Sequence, residues 1–154
     1  MSSRKSLFFV LPFLLFWIAN ANAATINAAS CSQSDVQAAI NSSVTGDTVS
    51  VPAGSCTWTS TVTIPSTKKI LLQGTGMAST IITRQKTVDP PNWEVINLAQ
   101  SGSRLTGFQF VNGTVLVDGD GWRIDNCKFY RAADSNEGVL VWGNRSNTHP
   151  TWLI

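Results

Sequence analysis

Asp118, Asp120 and Asp125 are the best cluster of carboxylates in the chain, and the Asp118-Gly119-Asp120-Gly121 turn brings two of them within reach of one ion. A hard cation such as calcium takes six to eight oxygen ligands, so it is the one cofactor for which the chain offers a set of donors. The competing reading is that Asp and Gly occur there as turn formers, through their own backbone chemistry. Paired carboxylates acting as acid and base must stand about 5 to 10 Å apart, which spacing in the sequence does not fix. Trp93, Trp122 and Trp142 lie in a long loop or beside strands. A Trp there either stacks on a sugar face or closes the edge of the core. His149, the single histidine, sits beside Pro150 in an irregular tail, where an exposed loop residue is the simpler reading than a catalytic one. Nucleophile motifs, phosphate-cradling glycine loops and zinc-ligand spacings are absent.

The elements that must position these residues begin with a leader. Arg4 and Lys5 precede an apolar run from Leu7 to Ala19, and the small residues from Ala19 to Ala24 follow, in the layout of a secretory signal peptide spanning residues 1–23. The run is shorter than the roughly 20 residues that cross a bilayer, so the mature chain is expected to be exported, secreted or in the cell envelope, with no membrane partner. Arg4 and Lys5 also account for the whole formal charge of +2. The remainder is electrically balanced, and with 13% charged residues the composition excludes both a disordered polar tail and a basic nucleic-acid binder. In an oxidising compartment the three cysteines can pair. Cys31 and Cys56, which flank one helix and strand near the start of the mature chain, are the expected disulfide. Closing that loop contributes roughly 3.5 kcal/mol in the chain-entropy picture. Cys127 reads as a buried free thiol within an apolar alternation, and neither other pairings nor a metal role has supporting spacing.

Ser34-Asp35-Val36-Gln37 has the form of a capping box. It predicts a helix from Asp35 to about Ser43 whose apolar face is Val36, Ala39, Ile40 and Val44, stopped by Gly46-Asp47. Everything after it reads as short strands. Trp58, Val62 and Ile64 share one parity and Thr57, Thr59, Thr61 and Thr63 the other, as on a strand with one buried face. Residues 70–72, 80–83, 95–98, 115–117 and 139–142 supply further strands.

Leu105-Thr106-Gly107-Phe108-Gln109-Phe110 and Ile124-Asp125-Asn126-Cys127-Lys128-Phe129 match position by position at an offset of 19. Self-similarity near 20 residues, with several short strands per repeat, marks a solenoid in which each coil stacks on the one before. Gly107 and Asn126 share a register at which a tight bend needs left-handed backbone, and Asn there can stack on Asn in successive coils. A hairpin-built sandwich or barrel is the competitor, but hairpin dipeptides are scarce. Val49, Val62, Ile64, Ile70, Leu72, Ile81, Leu105, Phe108, Phe110, Val115, Ile124, Cys127 and Phe129 are the expected inward ladders.

The segments Cys31 to Ile40, Gly46 to Gly54 and Ile70 to Gly76 resemble the N-terminal cap and first coils of secreted right-handed parallel β-helix proteins of the pectate-lyase-like superfamily, and Ile124 to Phe129 resembles a later rung. The resemblance implies an all-β fold, a right-handed parallel β-helix with a short N-terminal capping α-helix. Residues 24–48 would be the cap and residues 49–154 about four or five coils. The chain stops mid-pattern at Ile154 with no polar capping element after Trp142, so it reads as the N-terminal part of a longer protein or a truncated product.

The superfamily includes lyases, hydrolases, esterases, adhesins and tailspikes, so the likeness specifies fold more than chemistry. Its lyases hold calcium with carboxylates and use an Arg or Lys as base. Asp118, Asp120 and Asp125, flanked by Arg123 and Lys128, are the positions that would serve, although long cations on an outer strand face are usually just solvated. The aspartate trio of its hydrolases, with a later His and Arg-x-Lys, has no counterpart. Two functions follow. One is an exported scaffold engaging extracellular polysaccharide or a surface, with no complete catalytic set in these residues. The other is the N-terminal part of a calcium-dependent polysaccharide lyase or related glycan-cleaving enzyme. Asn41-Ser-Ser, Asn112-Gly-Thr and Asn144-Arg-Ser fit the glycosylation acceptor pattern and on sequence alone are only permissive.

Overall fold

The computed structural model describes residues 22–85, 94–99, 102–118 and 121–130, and the backbone of 138–142. The leader lies outside the described residues apart from Asn22 and Ala23, as do Trp93, Asp120 and His149.

Short alternating segments give short strands, and their pairing is parallel throughout. After β1 (Thr25–Asn27) and α1 (Gln33–Ser42), the strands fall in threes: β2 (Thr48–Val51), β3 (Gly54–Trp58) and β4 (Val62–Ile64); β5 (Leu71–Gly74), β6 (Thr80–Arg84) and β7 (Glu94–Ala99); β8 (Arg104–Thr106), β9 (Gln109–Val111) and β10 (Thr114–Asp118); β11 (Arg123–Asp125), β12 (Lys128–Tyr130) and β13 (Gly138–Trp142). The first strands of each triplet form one sheet, β1-β2-β5-β8-β11, the second another, β3-β6-β9-β12, and the third the last, β4-β7-β10-β13. We refer to these as walls A, B and C. Three walls built from every third strand are a parallel β-solenoid of four coils, which disposes of the hairpin alternative. The 19-residue repeat is the register itself: Leu105 pairs with Ile124 and Phe110 with Phe129.

Inward side chains stack at the same place on successive coils. Ile26, Val49, Leu72, Leu105 and Ile124 make an aliphatic ladder in wall A. Cys56, Ile82, Phe110 and Phe129 line wall B, and Val62, Ile96 and Val115 line wall C. Phe110 stacks between Phe108 and Phe129 at centroid distances of 5.5 and 5.4 Å. Ile82 is the fully buried isoleucine of β6, whereas the expected Ile81 is only half-buried. Two adjacent isoleucines carry no parity of their own, and the neighbouring strands decide which one turns inward.

The bend between walls A and B is made at the predicted register, where Gly107 has φ +81° and Asn126 φ +49°. A Cβ on Gly107 would stand 2.5 Å from the carbonyl oxygen of Gly74 in the coil below, so the coils touch backbone to backbone there. Among the described residues no Asn ladder forms, because Gly107 is the neighbour in the coil below; the Asn126 amide donates to Asp125 Oδ2 at 3.0 Å. The alternation from Thr57 to Ile64 also conceals a corner. β3 ends at Trp58 in wall B and β4 begins at Val62 in wall C.

The N-terminal end is closed by α1, which buries Val36, Ala39 and Ile40. Ser32, not Ser34, is the N-cap, its Oγ accepting from the Asp35 N–H at 3.3 Å. Gln37 is taken by a longer-range partner: its amide donates to Thr63 O at 3.1 Å and accepts from the Thr63 N–H at 2.9 Å, standing in for a missing strand on the outer edge of β4. Val44 falls beyond the helix and is 63% exposed rather than on the apolar face. Lys68 Nζ donates to the carbonyls of Ile40 and Asn41, at 2.7 and 2.8 Å, at the negative end of the helix dipole. The expected disulfide joins Cys31 to Cys56, with Cα atoms 5.8 Å apart, and ties the cap to β3. Trp58 is fully buried with its Nε1–H donating to Cys31 O at 2.9 Å, so the cap is held to the core at two points.

Candidate functional site

Wall A presents its most polar patch on the last two described coils. Arg104 and Arg123 are in register on adjacent strands, as are Thr106 and Asp125. Two guanidinium groups side by side repel, and Asp125 offsets the repulsion. Its carboxylate accepts from Arg104 Nε at 2.7 Å and Nη2 at 2.6 Å, and Arg123 Nε lies 3.4 Å away. Thr106 Oγ1 and Asn126 Nδ2 donate to Oδ2 at 3.4 and 3.0 Å. The Arg104 hydrogen bonds hold the Asp125 carboxyl below the usual carboxylate range, against the opposing effect of desolvation. A carboxylate with both oxygens occupied has little left to give a cation.

The other described member of the carboxylate cluster lies elsewhere. Asp118 ends β10 in wall C, a different wall from Asp125, and Asp120 is outside the described residues. Among the described residues no group of three or more His, Cys, Asp or Glu side chains is arranged to hold a metal ion. Asp47 is the buried carboxylate among the described residues, and its work is structural. It accepts from the N–H groups of Val44 and Ala24, at 2.8 and 2.9 Å, and those bonds lower its pKa.

Trp122 is 3% exposed and donates from Nε1 to Asp118 O at 3.3 Å. Its ring packs into the core, which favours closing the core edge, the second of the two readings open to it. Trp93 is outside the described residues, and of Trp142 only the backbone position, paired with Asp118, is described. Cys127 is free and half-buried, and burial pushes its thiol pKa up.

Among the described residues, the aromatic side chain that most faces solvent is one the sequence did not mark. Tyr130, the single tyrosine, is 49% exposed at the end of β12, with the Lys128 ammonium 5.6 Å from its ring centroid. It ends an outward row on wall B made of Thr57, Thr83, Val111 and Tyr130, alongside a second row of Ser55, Ile81, Gln109 and Lys128. The signal was available in principle: Phe129 faces inward, so both of its neighbours must face out.

No protein-family model, curated protein or solved structure matches this chain. Within the described residues no helix is long and apolar enough to cross a membrane.

Proposed function

We propose that the chain is an exported β-solenoid scaffold, wound right-handed as in pectate-lyase-like proteins, that engages extracellular polysaccharide through the outer face of wall B. The observation that carries this reading is the pair of outward rows ending in Lys128 and the half-exposed Tyr130. Parallel coils repeat about every 4.8 Å and hold those rows in a straight, rigid line suited to an extended polymer. Tyr130 supplies the apolar ring face and polar tip that suit sugar contact; Ser55, Thr57, Thr83 and Gln109 supply hydroxyl and amide groups. Export rests on the leader-like residues 1–23, and the Cys31–Cys56 bridge suits an oxidising compartment. The engagement of Asp125 by Arg104 favours a scaffold over a calcium-dependent lyase.

The test is affinity electrophoresis of the mature chain in gels containing polygalacturonate, xylan or glucomannan. At least one polymer should retard the protein, and Tyr130→Ala should abolish the retardation. Unaltered mobility in every gel would overturn the binding role. Equal retardation of Tyr130→Ala would overturn the assignment to wall B.

A further inference from the structure

Three segments carry the Asn-x-Ser/Thr pattern, and their surroundings differ. Asn144 is outside the described residues. Asn112 is half-buried in the turn between β9 and β10, with φ +55°, its N–H donating to Tyr130 O at 3.0 Å, and Thr114 of its triplet is 8% exposed in β10. Asn41 is exposed in the last turn of α1. Its Oδ1 accepts from Gln37 Nε2 at 3.1 Å, which fixes the amide plane, and no described residue takes its Nδ2. The folded chain therefore leaves Asn41 exposed with its Nδ2 not engaged by any described residue, so a sugar attached there before folding is compatible with the finished fold.

We propose that Asn41 is an N-glycan acceptor, a reading that rests on the export proposed above. The donor class is a polyprenyl-diphosphate-linked oligosaccharide, supplied with its transferase by the secretory compartment. Asn41 Nδ2 forms a bond to the anomeric carbon of the first sugar, the bond from that carbon to the diphosphate oxygen breaks, the polyprenyl diphosphate leaves and Nδ2 gives up one proton. The acceptor pattern needs Ser43, whose hydroxyl in the folded chain donates to Ile40 O at 2.8 Å; transfer therefore precedes closure of the helix end. In the finished fold the glycan stands beside Gln37, over the β4 edge that Gln37 covers. A bulky hydrophilic group there keeps a second chain from adding a strand to wall C.

The experiment is translation of the full chain with secretory microsomes, in one arm with its own residues 1–23 and in the other with an established signal sequence in their place. The expected result in both arms is an endoglycosidase-sensitive gain in mass that peptide mapping places on Asn41, and that Asn41→Gln and Ser43→Ala each remove. The readout does not require either variant to fold. With the substituted leader, an unmodified Asn41, or a glycan on Asn112 in its place, would overturn the proposal. Failure of the native leader alone to be cleaved, with Asn41 modified in the second arm, would overturn export and leave the acceptor standing.

Discussion

Replacing Gly107 with alanine probes the point where one coil rests on another. Gly107 has φ +81°, and its absent Cβ would fall 2.5 Å from Gly74 O. Left-handed backbone costs a residue with a Cβ roughly 1–2 kcal/mol. Forcing a methyl group against a packed backbone typically costs about 1–3 kcal/mol. Together Gly107→Ala should lose about 2–5 kcal/mol of unfolding free energy. Gly74→Ala separates the two effects, because a Cβ there meets the reciprocal backbone contact with Gly107 O, together with Thr80 Cβ at 3.0 Å, without a positive φ. It should lose less than Gly107→Ala, by about the left-handed penalty of 1–2 kcal/mol. Asn126→Gly, in the same register one coil on, should change stability by less than about 1 kcal/mol. Urea unfolding of the oxidised mature chain, followed by far-UV circular dichroism, measures all three. A Gly107→Ala midpoint coincident with that of the unsubstituted chain would refute the backbone contact between coils.

Three further outcomes follow from the same geometry. Reducing the Cys31–Cys56 bridge should lower unfolding free energy by roughly 3.5 kcal/mol, read from urea midpoints with and without reductant, since the bond then no longer constrains the unfolded chain; identical midpoints would contradict it. The carboxyls of Asp47 and Asp125 are held below their ordinary values. Their contribution is therefore fully present above the unfolded pKa of about 3.9 and is lost as pH falls through the lower folded values. Melting temperatures of Asp47→Asn and Asp125→Asn should accordingly fall less between neutral and acidic pH than that of the unsubstituted chain, and equal losses would remove these groups as the cause. Cys127, its thiol pushed up by burial, should react with iodoacetamide more slowly at neutral pH than a free cysteine, because less of it is thiolate; an equal rate would contradict that burial.

The coil architecture was legible because a repeat of 19 residues writes parallel register directly into the chain, as the pairing of Arg104 with Arg123 and Phe110 with Phe129 demonstrates. The disulfide was legible for a related reason, since both cysteines flank the helix of the cap. What escaped depends on contacts distant in sequence. The capping box that Ser34 and Gln37 suggest does not form: Ser32 caps the helix, and Gln37 is diverted by Thr63 of β4. Ile81 and Ile82 differ only in what Cys56 and Phe110 require of their neighbour. The corner after Trp58 preserves the parity of Val62 and Ile64, so alternation ran through it unbroken. At the polar site, Asp125 looked like a free ligand because the Arg104 that occupies it lies one coil away. For Trp122 the sequence left both a platform and a core edge open, because a position beside a strand does not say which way the ring faces in the coil.

Everything proposed for the outer walls depends on the coils being parallel and in register, and engineered cysteines test that directly. In a variant with Cys127→Ser, the pair Gln109→Cys and Lys128→Cys should oxidise to a disulfide, since paired positions on adjacent strands lie about 4.8 Å apart, within disulfide reach. Val111→Cys with Tyr130→Cys should do the same. Bridging of Gln109→Cys to Tyr130→Cys, and of Val111→Cys to Lys128→Cys, in place of those pairs is the pattern of an antiparallel hairpin and would contradict the stacked coils.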